Sequence, residues 1–310
     1  MDFGSILSLG QTALELALFS SLTVLALFLS YSMLNVCDLS TDGCFTLGAT
    51  VGAVVAMGGN PYLSLWAAMG AGVLSGFVVA FLQTKMGVNS LLAGIIVNTA
   101  LYSVNIAVMD GSSILNMNRT DTVFTKLRDL LKGTFLEGQQ KLLIGLFAVL
   151  AVSLLLYFFL KTRLGLAIRA TGNNPDMVRS SSINPTFTTI IGLCVANAFT
   201  ALSGCLLAQS QKSVNIDIGT GMVTVALASL LIGTVFLGKK KMGLRLFGMV
   251  LGAFVFRLVY TVALRFEMPA FMLKLVSAVV VTAAISVPYL RQQLPVLRRR
   301  FRAARGRRDV

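Results

Sequence analysis

"KTRLGLAIRATGNNPDMVRSSSINP", residues 161–185, is polar and basic, yet it lies between two long apolar runs. Hydrocarbon cannot hold such a segment, so it stands in water or at a membrane surface while its neighbours cross. Within it, Asn174-Pro175-Asp176 reads as a helix start, with Asn as cap, Pro at the first helical position and an acid facing the positive end of the dipole. The helix is predicted from about Pro175 to Ser182, because Pro185 disfavours helix at Asn184. A short surface helix is either a handle for another protein or an ordinary interfacial connector, and the segment alone leaves both open.

The rest of the chain fits that reading. Of its 310 residues, 56% are apolar and only 12% charged, against about 25% charged in soluble domains, and the mean hydropathy is +0.82. A membrane-crossing helix needs about 20 apolar residues. Candidate runs are 11–34, 43–58, 61–84, 88–109, 141–160, 186–208, 221–237, 245–264 and 270–290. The fold class expected is an all-α integral membrane protein of about nine transmembrane helices. The first run has no basic flank or small-residue cleavage site, so it reads as a retained span.

The net charge of +14 does not point to nucleic acid, because a membrane protein collects Lys and Arg in its cytoplasmic loops. Lys85, the 161–184 segment, "GKKKMGLR" at 238–245 and the tail from Arg291 hold 17 of the 26 basic residues. Nine alternating spans put these four on one side, with the N-terminus outside and the C-terminus cytoplasmic. The tail "RRRFRAARGRR" reads as a contact with anionic lipid. Four cysteines (Cys37, Cys44, Cys194 and Cys205) and no histidine leave neither zinc-ligand spacing nor His-based catalysis. No catalytic residue and no metal site is expected.

The two halves resemble each other. "DLSTDGCFTLGATVGAVVAMG" (38–58) parallels "DIGTGMVTVALASLLIG" (217–233), and "GVLSGFVVAFL" (72–82) parallels "GMVLGAFVFRL" (248–258). Matched spans cross in opposite directions, which is the inverted repeat of alternating-access transporters with a site near mid-membrane. Segment 35–45 reads either as a break within the membrane or as a true loop. The first half-repeat covers about 35–109 and the second about 215–290. Between them lie an outer segment, 110–140, with an amphipathic helix expected at about 121–135, and the cytoplasmic loop, 161–184; the basic tail, 291–310, follows.

Ionisable groups inside spans default to functional candidates. Asp38, Asp42 and Asp217 flank the breaks, where they either cap the following helix or contact solute. Arg257 and Lys274 lie in the eighth and ninth runs, and Arg257 is placed to pair with a carboxylate such as Asp217. Asn98, Asn105 and Asn197 are mid-span amides, able to bind solute or a neighbouring helix. The pathway candidates are Asp38, Asp42, Asn98, Asn197, Asp217 and Arg257. Trp66 and Phe77 either line an apolar pocket or face lipid. The pairs Gly72/Gly76 and Gly248/Gly252 permit close helix contact, within the chain or across a dimer. "GTVFLGKK" (233–240) nearly matches a phosphate-binding loop, but Lys240 stands where Ser or Thr must meet magnesium.

"TRLGLAIRATGNNPDMVRSSSIN" closely resembles the cytoplasmic loop of permease subunits of ABC importers for branched-chain amino acids and ribose-type sugars, where G-x-A-x-R-A-x-G-x-N precedes the coupling helix. "DLSTDGCFTLGA" (38–49) and "ASLLIGTVFLGKKKMGLRLFGMVLGA" (228–253) are similar to further stretches of those permeases. The resemblance covers nearly the whole chain and is strongest to the amino-acid branch that includes tryptophan- or aromatic-type importers. "GKKKMG" at 238–243 departs from the expected glycine-rich pattern, and the extra first helix of sugar permeases is missing. The resemblance implies that Gly165, Arg169, Gly172, Asn173, Asn174, Pro175, Asp176 and Arg179 contact a separate ATPase, with Gly172 permitting the turn into the coupling helix. It implies a single permease domain in the cell membrane, a homodimer, cytoplasmic ATPase subunits that hold ATP and Mg2+, an external solute-binding protein, and no cofactor on this chain. The solute expected is an amino acid, with a sugar or nucleoside as the alternative. The rivals are an ion-coupled secondary transporter and a non-transporting scaffold.

Overall fold

The computed structural model describes residues 3–131, 138–237 and 241–265, with isolated helical positions between 275 and 286. Most of the ninth apolar run, Lys274, positions 238–240 and the basic tail lie outside the described residues, as does the end of the expected 121–135 helix.

The chain is mostly helical. Helix α1 (Phe3–Leu27) continues as a π-helical turn, Phe28–Met33, and is followed by α2 (Thr41–Met57), α3 (Pro61–Thr84) and α4 (Ser90–Val108). Strand β1 (Ile114–Asn116) and the short α5 (Val123–Leu130) lead into α6 (Gln140–Lys161). Then come α7 (Arg163–Asn173), α8 (Pro175–Ser180), α9 (Pro185–Gln211), β2 (Ser213–Asn215), α10 (Met222–Leu237) and α11 (Met242–Arg265). Six of the described helices are long and apolar enough to cross a membrane: α1 with its π turn, α3, α4, α6, α9 and α11. Helices α2 and α10 are shorter apolar helices. The two strands, which the hydropathy pattern does not announce, pair antiparallel and clip the α4–α5 connection to the end of α9.

Helix α9 is the hub. Its residues Ala201 and Cys205 meet Gly48 and Gly52 of α2 in rising order, so α2 and α9 run parallel. Asn197 and Leu193 meet Gly72 and Gly76 in falling order, so α3 runs antiparallel to α9. A Cβ at Gly72 or Gly76 would run into the α9 backbone, so this pair serves a contact within the chain. Gly248 and Gly252 likewise press on Gly233 and Ser229, locking α11 to α10.

Two segments turn back into the bundle. The carbonyl of Met33 lies against Gly172 at the end carrying α7 and α8. From there, past the left-handed Asn35 (φ 57°), residues 34–40 climb until Asp38 meets Asn197. Asn197 is 12 residues along α9 from Pro185, about 18 Å at helical rise, so α2 starts at mid-depth. At the opposite end Lys212 (φ 54°) ends α9. Residues 216–221 then descend until the backbone N–H groups of Gly221 and Val223 reach Asp42. The N-termini of α2 and α10 therefore meet mid-bundle, and the two helices leave towards opposite faces.

Candidate functional site: a mid-depth cleft and a surface helix pair

Asp42 stands in the first turn of α2 and holds the first turn of α10. Its Oδ2 accepts from the Gly221 N–H at 2.9 Å and its Oδ1 from the Val223 N–H at 2.8 Å. Two orphan donors of a helix start are thus satisfied by a carboxylate, which the helix dipole also favours. Opposite, on α4, Asn98 Oδ1 accepts from the Gly43 N–H at 2.7 Å, and Asn105 Nδ2 donates to the Gly43 carbonyl at 3.3 Å. Gly219 leaves no room for a Cβ against the Asp42 carbonyl, which draws the 216–221 segment onto α2. Between these pieces lies a cleft of about 130 Å³, lined by Asp42, Asn98, Tyr102, Asn105, Asp217 and Thr220 among others.

Of the six pathway candidates, the structure brings Asp42, Asn98 and Asp217 together here. Asp38 and Asn197 form a different feature, buried and closed. Asp38 Oδ1 accepts from the Ser40 N–H and hydroxyl at 2.8 and 2.6 Å, and Oδ2 accepts from Asn197 Nδ2 at 3.0 Å. With the main hydrogen-bonding directions occupied and 2% exposure, Asp38 anchors the re-entrant segment.

The expected Arg257–Asp217 pair does not form. Arg257 points instead between α1 and α10, donating to Ser20 Oγ at 3.3 Å and lying 3.9 Å from Met222 Sδ, with its guanidinium 5.8 Å from the Tyr260 ring centre. The cause is the path of the chain: Asp217 sits in the descending segment on the cleft side, while Arg257 faces α1 on the other side of α10. Trp66 is 72% exposed and lines a separate apolar groove of about 560 Å³ with Leu127, Phe147 and Leu206; Phe77 is exposed beside Phe81.

Sequence reasoning named Asn105 without assigning it to the site and did not single out Tyr102 or Thr220. The spacing held the signal: Asn98, Tyr102 and Asn105 fall at i, i+4 and i+7, one face of a helix.

The 161–185 segment folds as two helices, where the sequence reading expected one. Thr162 caps α7 by accepting from the Gly165 N–H at 3.2 Å, and Gly165 packs so tightly on the backbone of Phe159 and Leu160 that no Cβ fits. Gly172 remains in helical conformation inside α7 and makes no turn. Its missing side chain admits the Met33 carbonyl and Leu34, a close approach that a Cβ would block.

The turn into α8 is made by Asn173 and Asn174, and Asn174 Oδ1 accepts from the N–H groups of Asp176 and Met177, both at 3.1 Å. Pro175 occupies the first position, and α8 ends at Ser180, earlier than expected, because Ser182 turns left-handed at φ 60°. Asn184-Pro185 then repeats the same start for α9. Asp176 and Arg179 form an exposed ion pair at 3.6 Å, a weak interaction at a surface. Val178 anchors α8, being 1% exposed. Arg169 is half-buried and near enough to Arg245 of α11 for their charges to interact, while Arg245 Nη2 donates to Ser32 Oγ at 3.2 Å.

Residues 12–285 match the family described as the permease component of the branched-chain amino acid transport system. The chain is 30% identical over 271 residues to the tyrosine transport system permease protein of Clostridioides difficile, covering 87% of this chain and 88% of that one. It is 25% identical over 258 residues to the ribose import permease protein RbsC of Escherichia coli K12, covering 82% and 78%. A nucleoside ABC transporter permease protein of Lactococcus lactis is 30% identical over 173 residues, covering 50% and 47%. No solved structure matches.

Proposed function

The chain belongs to the branched-chain amino acid transport permease family, and on that premise we propose that it is the membrane-spanning subunit of an ATP-binding-cassette importer that carries an amino acid inward. The likeness to a tyrosine transport permease over most of both chains supports that solute class. The chain works as a homodimer in the cell membrane, with its N-terminus outside and its C-terminus cytoplasmic. Cytoplasmic ATPase subunits, which hold ATP and Mg2+, dock on α7 and α8. An external solute-binding protein docks on the face of β1, β2 and α5.

One observation carries the mechanism: the contact of Gly172 with Met33 and Leu34 joins the exposed α8 to the re-entrant segment 34–40. That segment carries Asp38 and opens into α2, whose Asp42 holds α10. ATPase closure pressing on α8 therefore moves the two helix starts that form the cleft, a rigid element driving a packed one. The inverted repeat is supported by the matching paths α1, 34–40, α2 and α9, 212–221, α10, which run in opposite directions.

The test is purification of the tagged chain from its native membrane in mild detergent, with co-purifying proteins identified by mass. An ATPase and a solute-binding protein are expected. The chain alone, reproducibly and after crosslinking, favours the second reading, an ion-coupled transporter, which Asp217 of the cleft, without an ion pair among the described residues, supports. In the importer, Asp176→Ala or Arg169→Ala abolishes solute-stimulated ATP hydrolysis while the protein remains folded; full stimulation in both variants rejects the docking role.

A further inference from the structure

We propose that the mid-depth cleft is an ammonium subsite, in which Asp217 and Asn105 receive the protonated amine of the solute; this rests on the importer reading and deepens it. Asn105 is 1% exposed, and its Nδ2 donates to the Gly43 carbonyl at 3.3 Å. That bond fixes the amide's orientation and leaves Oδ1, buried at the cleft, without a donor among the described residues. A buried acceptor with no partner is costly, by the desolvation of that group, and a ligand N–H removes the cost.

Asp217 adds a charge. Its carboxylate has no hydrogen bond or ion pair among the described residues, while its backbone N–H is occupied by Asn215 Oδ1 at 3.1 Å. Asp42, the other carboxylate, is balanced by the start of α10. Among the described residues, no Lys or Arg lines the cleft. The Gly43, Gly221 and Val223 N–H groups that would receive an anion are already bonded to Asn98 and Asp42. The electrostatics thus select a cation and repel a carboxylate. The volume of about 130 Å³ suits a head group of a few heavy atoms. Beyond it, the exposed Ile95, two turns from Tyr102 on α4, gives an apolar tail a surface to follow.

The experiment uses the purified full chain in vesicles, with Cys37 and Cys194 replaced by serine and Thr220→Cys as reporter, since Thr220 lines the cleft and is exposed. Labelling rates are compared for trimethylammonioethyl and sulfonatoethyl methanethiosulfonate, then for the former with ethylammonium, propionate or Na+ as competitor. The cationic reagent is expected to react about tenfold faster, from a charge or two at partly screened range. Asp217→Asn removes that preference, Asp217→Glu retains it, and ethylammonium but not propionate slows the reaction. A charge-blind or anion-favouring cysteine, or slowing by propionate, overturns the proposal. Slowing by Na+ alone overturns it too and marks a metal-cation site. No ATPase is needed, so a negative result leaves the importer assignment standing, and a failed co-purification leaves the labelling result standing.

Discussion

Asp38, Asp42 and Asp217 look alike in sequence, each beside a break in an apolar run, and the structure gives them three different tasks. Asp38 closes a buried network, Asp42 caps a helix of the other half, and Asp217 faces open space. The consequence is measurable. Asp42→Ala leaves the Gly221 and Val223 N–H groups unpaired and is expected to cost about 1–3 kcal/mol, seen as a lower thermal unfolding midpoint in detergent. Asp42→Asn keeps one acceptor oxygen and falls between. Asp217→Asn is expected to leave the midpoint unchanged. Equal losses for the Asp42 and Asp217 variants would contradict this division of roles.

Among elements, the π-helical turn Phe28–Met33 was illegible, because "FLSYSM" contains no Gly or Pro to mark a departure from α geometry. It is set by what packs on it: Gly172 against the Met33 carbonyl and Arg245 on Ser32 and over the Phe28 ring, 5.2 Å from its centre. Gly172→Val forces α7 off the turn, at about 1–3 kcal/mol if the contact overpacks. Solute-stimulated ATP hydrolysis is expected to fall while ATP hydrolysis without solute persists, and unchanged stimulation would contradict the contact's role. Gly76→Leu strikes a rigid backbone and not a joint, so its expected outcome is loss of folded protein, read as yield after size exclusion. A well-folded Gly76→Leu variant would mean that α3 stands farther from α9.

For the whole molecule, depth is the quantity that matters. The ribbon β1–β2, α5 and the end of α9 share one face, while α7, α8 and the start of α11 share the other. Gln209 ties the first of these together, accepting from the Val123 N–H at 3.0 Å and donating to Ser64 Oγ at 2.7 Å. Cysteine placed at Leu130, 76% exposed, is expected to react with an impermeant reagent on intact cells. Cysteine at Ser180 reacts only after permeabilisation. The reverse pattern would invert the orientation drawn from the positive charges.

The sequence by itself determined that the chain is a bundle of apolar helices, where its helices begin at Asn174-Pro175, and which family loop lies at 161–185, because propensity, capping and hydropathy are local. It located both interruptions of the apolar pattern by their Asp and Gly residues. Only the tertiary structure decided that those interruptions climb to a common depth, that Asp42 rather than Asp38 joins the two halves, and that Arg257 turns away from Asp217. Those outcomes depend on which glycine lets which backbone approach, a contact between residues about 150 positions apart at Gly48 and Ala201, and no local rule carries information across such a distance.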